Sequence, residues 1–145
     1  MSGLVKLGLW GGNGGNPCDI DGRSTRLAKI VIRSADSINA LGFEYVQDGM
    51  TLTAGPWGGS GGGTSTIEFQ PGEHLTEING TTGPYSNIAN LVRSLTFVTN
   101  VSKYGPYGAV QGTPFVIPVA SGRIVAFYGR AGMNLDAIGT YLMPS

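Results

Sequence analysis

Asp136 closes a short loop that opens at Gly132, within Gly129-Arg130-Ala131-Gly132-Met133-Asn134-Leu135-Asp136-Ala137-Ile138-Gly139. Before it, Ile124-Val125-Ala126-Phe127-Tyr128 is apolar at every position, as a strand buried on both faces is. An apolar run follows it as well, so the sequence sets a carboxylate on a loop between two strands. An ionised carboxylate only accepts hydrogen bonds and takes two hydroxyl donors at once. Each such bond is worth about 1.5–3 kcal/mol because one partner is charged. Neighbouring hydroxyls of a sugar ring form such a pair, and the loop's own N–H groups can donate to the sugar's oxygens. Gly132 at the loop's start permits φ > 0 and close ligand approach. The same spacing has a plainer meaning: an Asp in a strand–strand turn often caps its own backbone. Glycoside hydrolysis would need a second carboxylate across the scissile bond. None neighbours Asp136, and only folding could bring Glu44, Glu68 or Asp19 close.

The elements that hold this loop occur three times. Gly8-Leu9-Trp10-Gly11-Gly12-Asn13-Gly14-Gly15 returns as Gly55-Pro56-Trp57-Gly58-Gly59-Ser60-Gly61-Gly62, and more faintly as Gly105-Pro106-Tyr107-Gly108-Ala109-Val110-Gln111-Gly112. Each aromatic is followed five positions later by a glycine: Gly15, Gly62 and Gly112. Self-similarity on this scale signals supersecondary units packed on a common core. Ala28, Ile30 and Ile32 alternate with Lys29, Val31 and Arg33, and Leu41, Phe43 and Tyr45 with Gly42 and Glu44. Ile67 and Phe69 alternate with Thr66 and Glu68, and period two with branched and aromatic residues means strands. Ile88, Leu91, Val92 and Leu95 have helical spacing, but the repeat sets them over Ile38–Phe43 and Leu135–Thr140, where glycines oppose helix, so strand is expected there too. Aligning the units places Asn39, Arg93 and Asp136 at one equivalent position. Asn39 can accept through one uncharged oxygen; Arg93 cannot accept at all. One scaffold therefore carries three side chains at one spot, and only some copies are expected to bind.

The 145 residues fit one domain, 1–145, large enough to bury roughly 70% of its unfolded surface. Charged residues are 12% and Lys+Arg balance Asp+Glu at nine each, which gives no electrostatic footprint for nucleic acid or an anionic membrane. Glycine, at 25 residues without a Gly-X-Y period, fits an all-β chain with glycine in its turns. The single cysteine, Cys18, excludes an intrachain disulfide and is expected to be a half-buried thiol. The N-terminal stretch lacks a continuous apolar run, so no signal peptide is evident and a cytoplasmic protein is expected. No run approaches a membrane span. Asn79 and Asn100 match the glycosylation sequon and are read as incidental without export. His74, in a Glu73/Glu77 neighbourhood, is read as a solvated surface residue. No cluster has metal-ligand spacing and the glycine turns lack the Lys-Ser/Thr of a phosphate loop, so no metal or cofactor is implied. Trp10, Trp57 and Tyr107 are read as core or turn-packing aromatics, and Tyr85, next to Pro84, as the better candidate for stacking on a longer glycan.

GLWGGNGG, Tyr104-Gly105-Pro106-Tyr107-Gly108, Gly112-Thr113-Pro114-Phe115 and Phe127-Tyr128-Gly129-Arg130 through Leu135-Asp136-Ala137-Ile138-Gly139 resemble the jacalin-related lectins, and most of all their mannose-specific monocot members. The likeness spans essentially the whole chain. It implies a β-prism I fold, three four-stranded Greek-key sheets around a pseudo-threefold axis, and carbohydrate binding without catalysis. By this resemblance Asp136 accepts two sugar hydroxyls, the main chain of Met133 and Asn134 donates, Gly132 and Leu135 complete the loop, and Gly15 contributes from the first glycine turn. In the banana-lectin type a second site uses the first unit's loop, here Ala35, Asp36 and Asn39 with Gly62. Ala35 stands where that pattern has Gly and Asn39 where it has Asp, so this site is expected to be weak or absent, and Arg93 argues against a third. Galactose-specific members are cleaved beside the site; here Gly11 to Asn16 is continuous, which implies mannose/glucose-type glycans as partners. The resemblance further implies a homodimer or homotetramer and, commonly, a defence or stress role. The alternative reading is a structural or protein-interaction β-prism domain with a vestigial sugar site.

Overall fold

The structure, a computed structural model, describes residues 3–145, and every regular element among them is a strand. In chain order these are β1 (Val5–Lys6), β2 (Trp10–Gly11), β3 (Asn16–Cys18), β4 (Arg26–Ser34), β5 (Ile38–Gln47), β6 (Met50–Gly58) and β7 (Gly63–Glu68). There follow β8 (Leu75–Tyr85), β9 (Ile88–Thr99), β10 (Lys103–Gly108), β11 (Thr113–Pro118), β12 (Arg123–Ala131) and β13 (Leu135–Met143). All pairings are antiparallel.

The first four long strands pair in the order β6-β5-β4-β7, and the next four repeat it as β10-β9-β8-β11. The last two long strands are flanked by the N-terminal ones: β12 lies between β13 and β3, and β1 and β2 share the outer edge of β13. A single pair, Leu75 with Ile124, ties β8 to β12. The expected all-β chain is what is found.

Ile88–Thr99 is one strand despite its helical spacing, and burial explains the pattern. Leu91 through Phe97 are all buried, so β9 is covered on both faces and shows no alternation. The expected run Ile124–Phe127 is likewise buried at every position, and Tyr128 is half-buried. Phenylalanines from three strands meet in the centre. Phe127 stands edge-on to Phe43 (centroids 5.1 Å, 83°) and to Phe97 (6.1 Å, 71°), with Ile30, Ile32, Ile38, Leu95 and Ile138 around them. Each fully buried side chain of this size contributes about 1.5–3 kcal/mol, and each ring pair about 0.5–1.5 kcal/mol beyond that.

The aromatics of the glycine turns divide. Trp57 packs edge-on against Phe43 (5.3 Å, 85°) and Tyr107 tilts against Phe97, both as expected of turn-packing residues. Trp10 differs: it is 45% exposed and lies flat on Phe115 (5.5 Å, 10°), covering one edge strand with another. Glu73 is a buried carboxylate. It is 7% exposed and accepts from Thr99 Oγ1 (2.8 Å), Tyr104 O–H (2.7 Å) and Gln70 N–H (2.9 Å). These donors hold its carboxyl below the ordinary value against the opposing effect of burial, the largest single influence on it.

Candidate functional site

The loop carrying Asp136 is made by a slip in strand pairing. In β12–β13, Arg130 faces Ala137 but the next pair is Ala131 with Leu135, so Asp136 is the unpaired residue of a bulge. The same slip occurs in β4–β5, where Arg33 faces Ala40 and Ser34 faces Ile38, leaving Asn39. In β8–β9, Thr81 faces Ser94 and Thr82 faces Val92, leaving Arg93. Bulges re-aim a side chain out of the pleat, which is why these three residues share one orientation. Their carbonyls are equivalent as well: Asp136 O accepts from Gly12 N–H (2.8 Å), Asn39 O from Gly59 N–H (2.9 Å) and Arg93 O from Ala109 N–H (3.0 Å). The equivalence of these positions, read from the repeat, is present in the structure.

Asp136 is only 5% exposed, and what remains open lies against glycine. A Cβ placed on Gly14 would stand 2.6 Å from its Oδ2 and one on Gly15 2.7 Å from its Oδ1. Both carboxylate oxygens therefore border Gly14 and Gly15, which carry no side chains. Burial raises the Asp136 carboxyl pKa, while the Arg130 charge and the Gly132 N–H pull it partly back. Among the described residues no side chain donates to this carboxylate, and the N–H groups of Met133, Asn134 and Gly15 have no protein acceptor.

The other loop residues have separate duties. Met133 is 81% exposed, whereas Asn134 is buried and its Oδ1 accepts from the buried Ser37 hydroxyl (3.2 Å), fixing this loop to that of the first unit. Leu135 has its side chain in the core, so only its main chain faces the loop. Gly132 does not adopt the positive φ expected of it. A Cβ there would lie 3.5 Å from Gly15 Cα and 3.9 Å from Asp136 Oδ1, ordinary contact distances, so neither torsion nor crowding within the chain requires the glycine. The positive φ belongs to Gly15, at +68°.

In the first unit Ala35 and Asp36 are exposed, and Asn39 Oδ1 is buried without a partner. A Cβ on Gly62 (φ +75°) would sit 2.7 Å from that oxygen, the same relation as Gly15 to Asp136. The second unit's position is filled. Arg93, 9% exposed, donates to the carbonyls of Asp36 (3.1 Å) and Pro84 (2.8 Å) and to Gln111 Oε1 (3.4 Å). Its guanidinium also lies over the Tyr85 ring at 5.1 Å, so one face of the proposed stacking platform is already engaged. Arg93→Ala leaves two carbonyls unpaired at the meeting of two loops and is expected to cost about 2 kcal/mol, read as a lowered Tm.

Elsewhere the chemistry is spent. Asp19 pairs with Lys6 (2.9 Å) and accepts from Tyr141 (2.7 Å), and Glu44 pairs with Lys29 (3.5 Å), so neither approaches Asp136 as a second acid. No group of His, Cys, Asp and Glu among the described residues could hold a metal. A cleft of ≈ 540 Å³ lies at the other ends of β4 and β12, lined by Arg26, Phe69, His74 and Arg123. It shares no residue with the Asp136 site. Cys18 is half-buried, its thiol raised by burial.

Sequence reasoning missed Arg33 and Arg130, which lie beside the loops and bond the glycine turns. The repeat held the signal, for both stand at the residue facing the alanine after the bulge, where the second unit has Thr81.

The same fold is found in known proteins. The model of the jacalin-like lectin domain matches residues 7–141. The structure of AcmJRL, a mannose-binding jacalin-related lectin from Ananas comosus, is 66% identical and superposes with a TM-score of 0.97, covering 99% of this chain and 100% of that one. Malaysian banana lectin is 42% identical at a TM-score of 0.92, with the same coverage. Horcolin from Hordeum vulgare is 40% identical over 99% of this chain and 100% of its own length. With the family's domain matched over nearly its whole length, and relatives alike from end to end, the chain belongs to the jacalin-like lectins.

Proposed function

We propose that this protein binds mannose- or glucose-type glycans without chemical turnover, through the Asp136 carboxylate and the amides of two loops. One observation carries the reading: a buried carboxylate presents both oxygens to Gly14 and Gly15, beside three N–H groups without protein acceptors among the described residues. The carboxylate accepts two neighbouring hydroxyls, and Met133, Asn134 and Gly15 donate through their main chains. Carbohydrate specificity of the mannose type is supported by relatives such as AcmJRL, described as mannose-binding. The repeated strand orders, with the third set closed by the N-terminal strands, support the β-prism of three four-stranded Greek-key sheets about a pseudo-threefold axis.

One charged contact and a few amide bonds give a site of order millimolar, about −4 kcal/mol. Useful strength then comes from several sites on one assembly, which adds roughly 10²–10⁴-fold, and a homodimer or homotetramer supplies them. Methyl α-mannoside is expected to compete for binding in calorimetry and galactose to compete poorly. Equal competition by the two sugars would reject the reading. The affinity also has a pH signature. Only the ionised form accepts both hydroxyls, so binding weakens as pH falls through the raised Asp136 pKa, earlier than for an ordinary Asp.

A further inference from the structure

Arg130 lies on β12 beside the bulge and is half-buried. Its Nε donates to the Gly14 carbonyl (3.0 Å) and its Nη2 to the Gly15 carbonyl (3.0 Å). We propose that Arg130 is a positioning residue of the carbohydrate site, its guanidinium gripping two successive carbonyls of the glycine turn so that the Gly15 N–H and the Asp136 carboxylate face one ligand. The proposal rests on the carbohydrate reading above and adds a residue to it.

Three observations support it. First, a turn of consecutive glycines has the greatest conformational freedom of any sequence, so without an outside tie it would not hold its N–H groups in one direction. A planar fork fixed to two carbonyls supplies that tie, which a point charge cannot. Second, the first unit repeats the arrangement. Arg33 donates from Nε to Gly61 O (3.0 Å) and from Nη2 to Ser60 O (2.6 Å) and Gly62 O (2.9 Å), beside Asn39. Third, the second unit has lost both halves together: Thr81, bonded to Ser94 Oγ (2.7 Å), replaces the arginine, and Arg93 replaces the acceptor. The clamp thus accompanies an acceptor at the bulge and is absent where the acceptor is absent.

Arg130 also acts on the carboxylate by charge. The titratable and charged groups that act on Asp136 are Arg130 on β12 and the Cys18 thiol on β3; the thiol, raised by burial, is neutral at pH 7. Arg130 is therefore the cation that opposes the desolvation of Asp136.

The test compares Arg130→Gln and Arg130→Lys with wild type, with Arg123→Gln, at the far end of β12, as a control for losing one positive charge. Two readouts are taken: the Asp136 carboxyl midpoint by carbon NMR in the ligand-free protein, and the calorimetric Kd for methyl α-mannoside. Arg130→Gln is expected to raise the midpoint and weaken binding roughly tenfold. Arg130→Lys keeps the charge but not the fork, so it is expected to hold the midpoint near wild type while still weakening binding severalfold. A role in stability alone would lower the Tm of both variants and leave the Kd of the folded protein unchanged. A Kd within twofold of wild type for Arg130→Gln overturns the proposal, whatever the midpoint does. If wild type binds no mannoside, the carbohydrate reading fails and the positioning role that rests on it fails too, whereas wild-type binding with an unchanged Kd for Arg130→Gln sinks the positioning role alone.

Discussion

Asp136→Ala is expected to abolish mannoside binding while leaving the fold intact. The two hydroxyl contacts at the carboxylate together carry about 3–6 kcal/mol, more than a hundredfold, and a site of millimolar strength has no such margin. Asp136→Asn should also bind below detection, because an amide offers one neutral acceptor where the carboxylate offers two charged ones. Its effect on stability has the opposite sign. The folded pKa of Asp136 is raised, with burial as the largest cause, so the fold disfavours the ionised form. At pH 7 this charge costs stability, and the cost is relieved as pH falls through the folded pKa. Asp136→Asn is therefore expected to keep the wild-type Tm at pH 7 or exceed it, with no gain at acid pH. A thermal melt beside calorimetry checks both halves. A marked fall in Tm with binding retained would identify Asp136 as a structural cap.

Gly15→Ala is expected to damage both the fold and the site. The residue has φ +68°, and an added methyl would stand 2.5 Å from Ala131 C and 2.6 Å from its O as well as beside Asp136 Oδ1. Backbone strain of this kind costs about 1–3 kcal/mol, and the methyl would occupy the space before the carboxylate. Gly132→Ala separates the two effects. Its φ is ordinary and its methyl would make only van der Waals contacts at 3.5 and 3.9 Å. Its Tm should stay near wild type while mannoside binding falls, since the methyl borders the ligand's side. Gly62→Ala is the reverse control. It meets Ser34 O at 2.6 Å with φ +75° and should cost similar stability without loss at the Asp136 site. Equal binding by Gly15→Ala and wild type would place the sugar elsewhere.

Much of this was legible in the sequence because glycine turns leave a strong, repeated signal. The aromatic-Gly stretches align the units, and alignment alone brings Asn39, Arg93 and Asp136 to one place. What it could not convey was why they point the same way, since a bulge is set by pairing register and β9 gives no alternation from which to read one. Gly132 illustrates a second limit: a glycine in the sequence does not say whether torsion, a neighbour or neither requires it. Arg33 and Arg130 were hidden for another reason. In a strand where alternate residues face solvent, an arginine reads as an outward charge, and its bonds run to carbonyls, which every residue has. Glu73 is similar, for its three donors come from Gln70, Thr99 and Tyr104, and only folding gathers them.

The strand order has a consequence for biogenesis. The Asp136 corner and the turn it faces come from opposite ends of the polypeptide, joined where Arg130 reaches Gly14 across 116 positions. On the proposed reading, a nascent chain still lacking its last hairpin lacks the Asp136 corner and cannot hold mannose there. Retention on a mannose column is then expected to select molecules whose C-terminal hairpin has docked onto the leading strands.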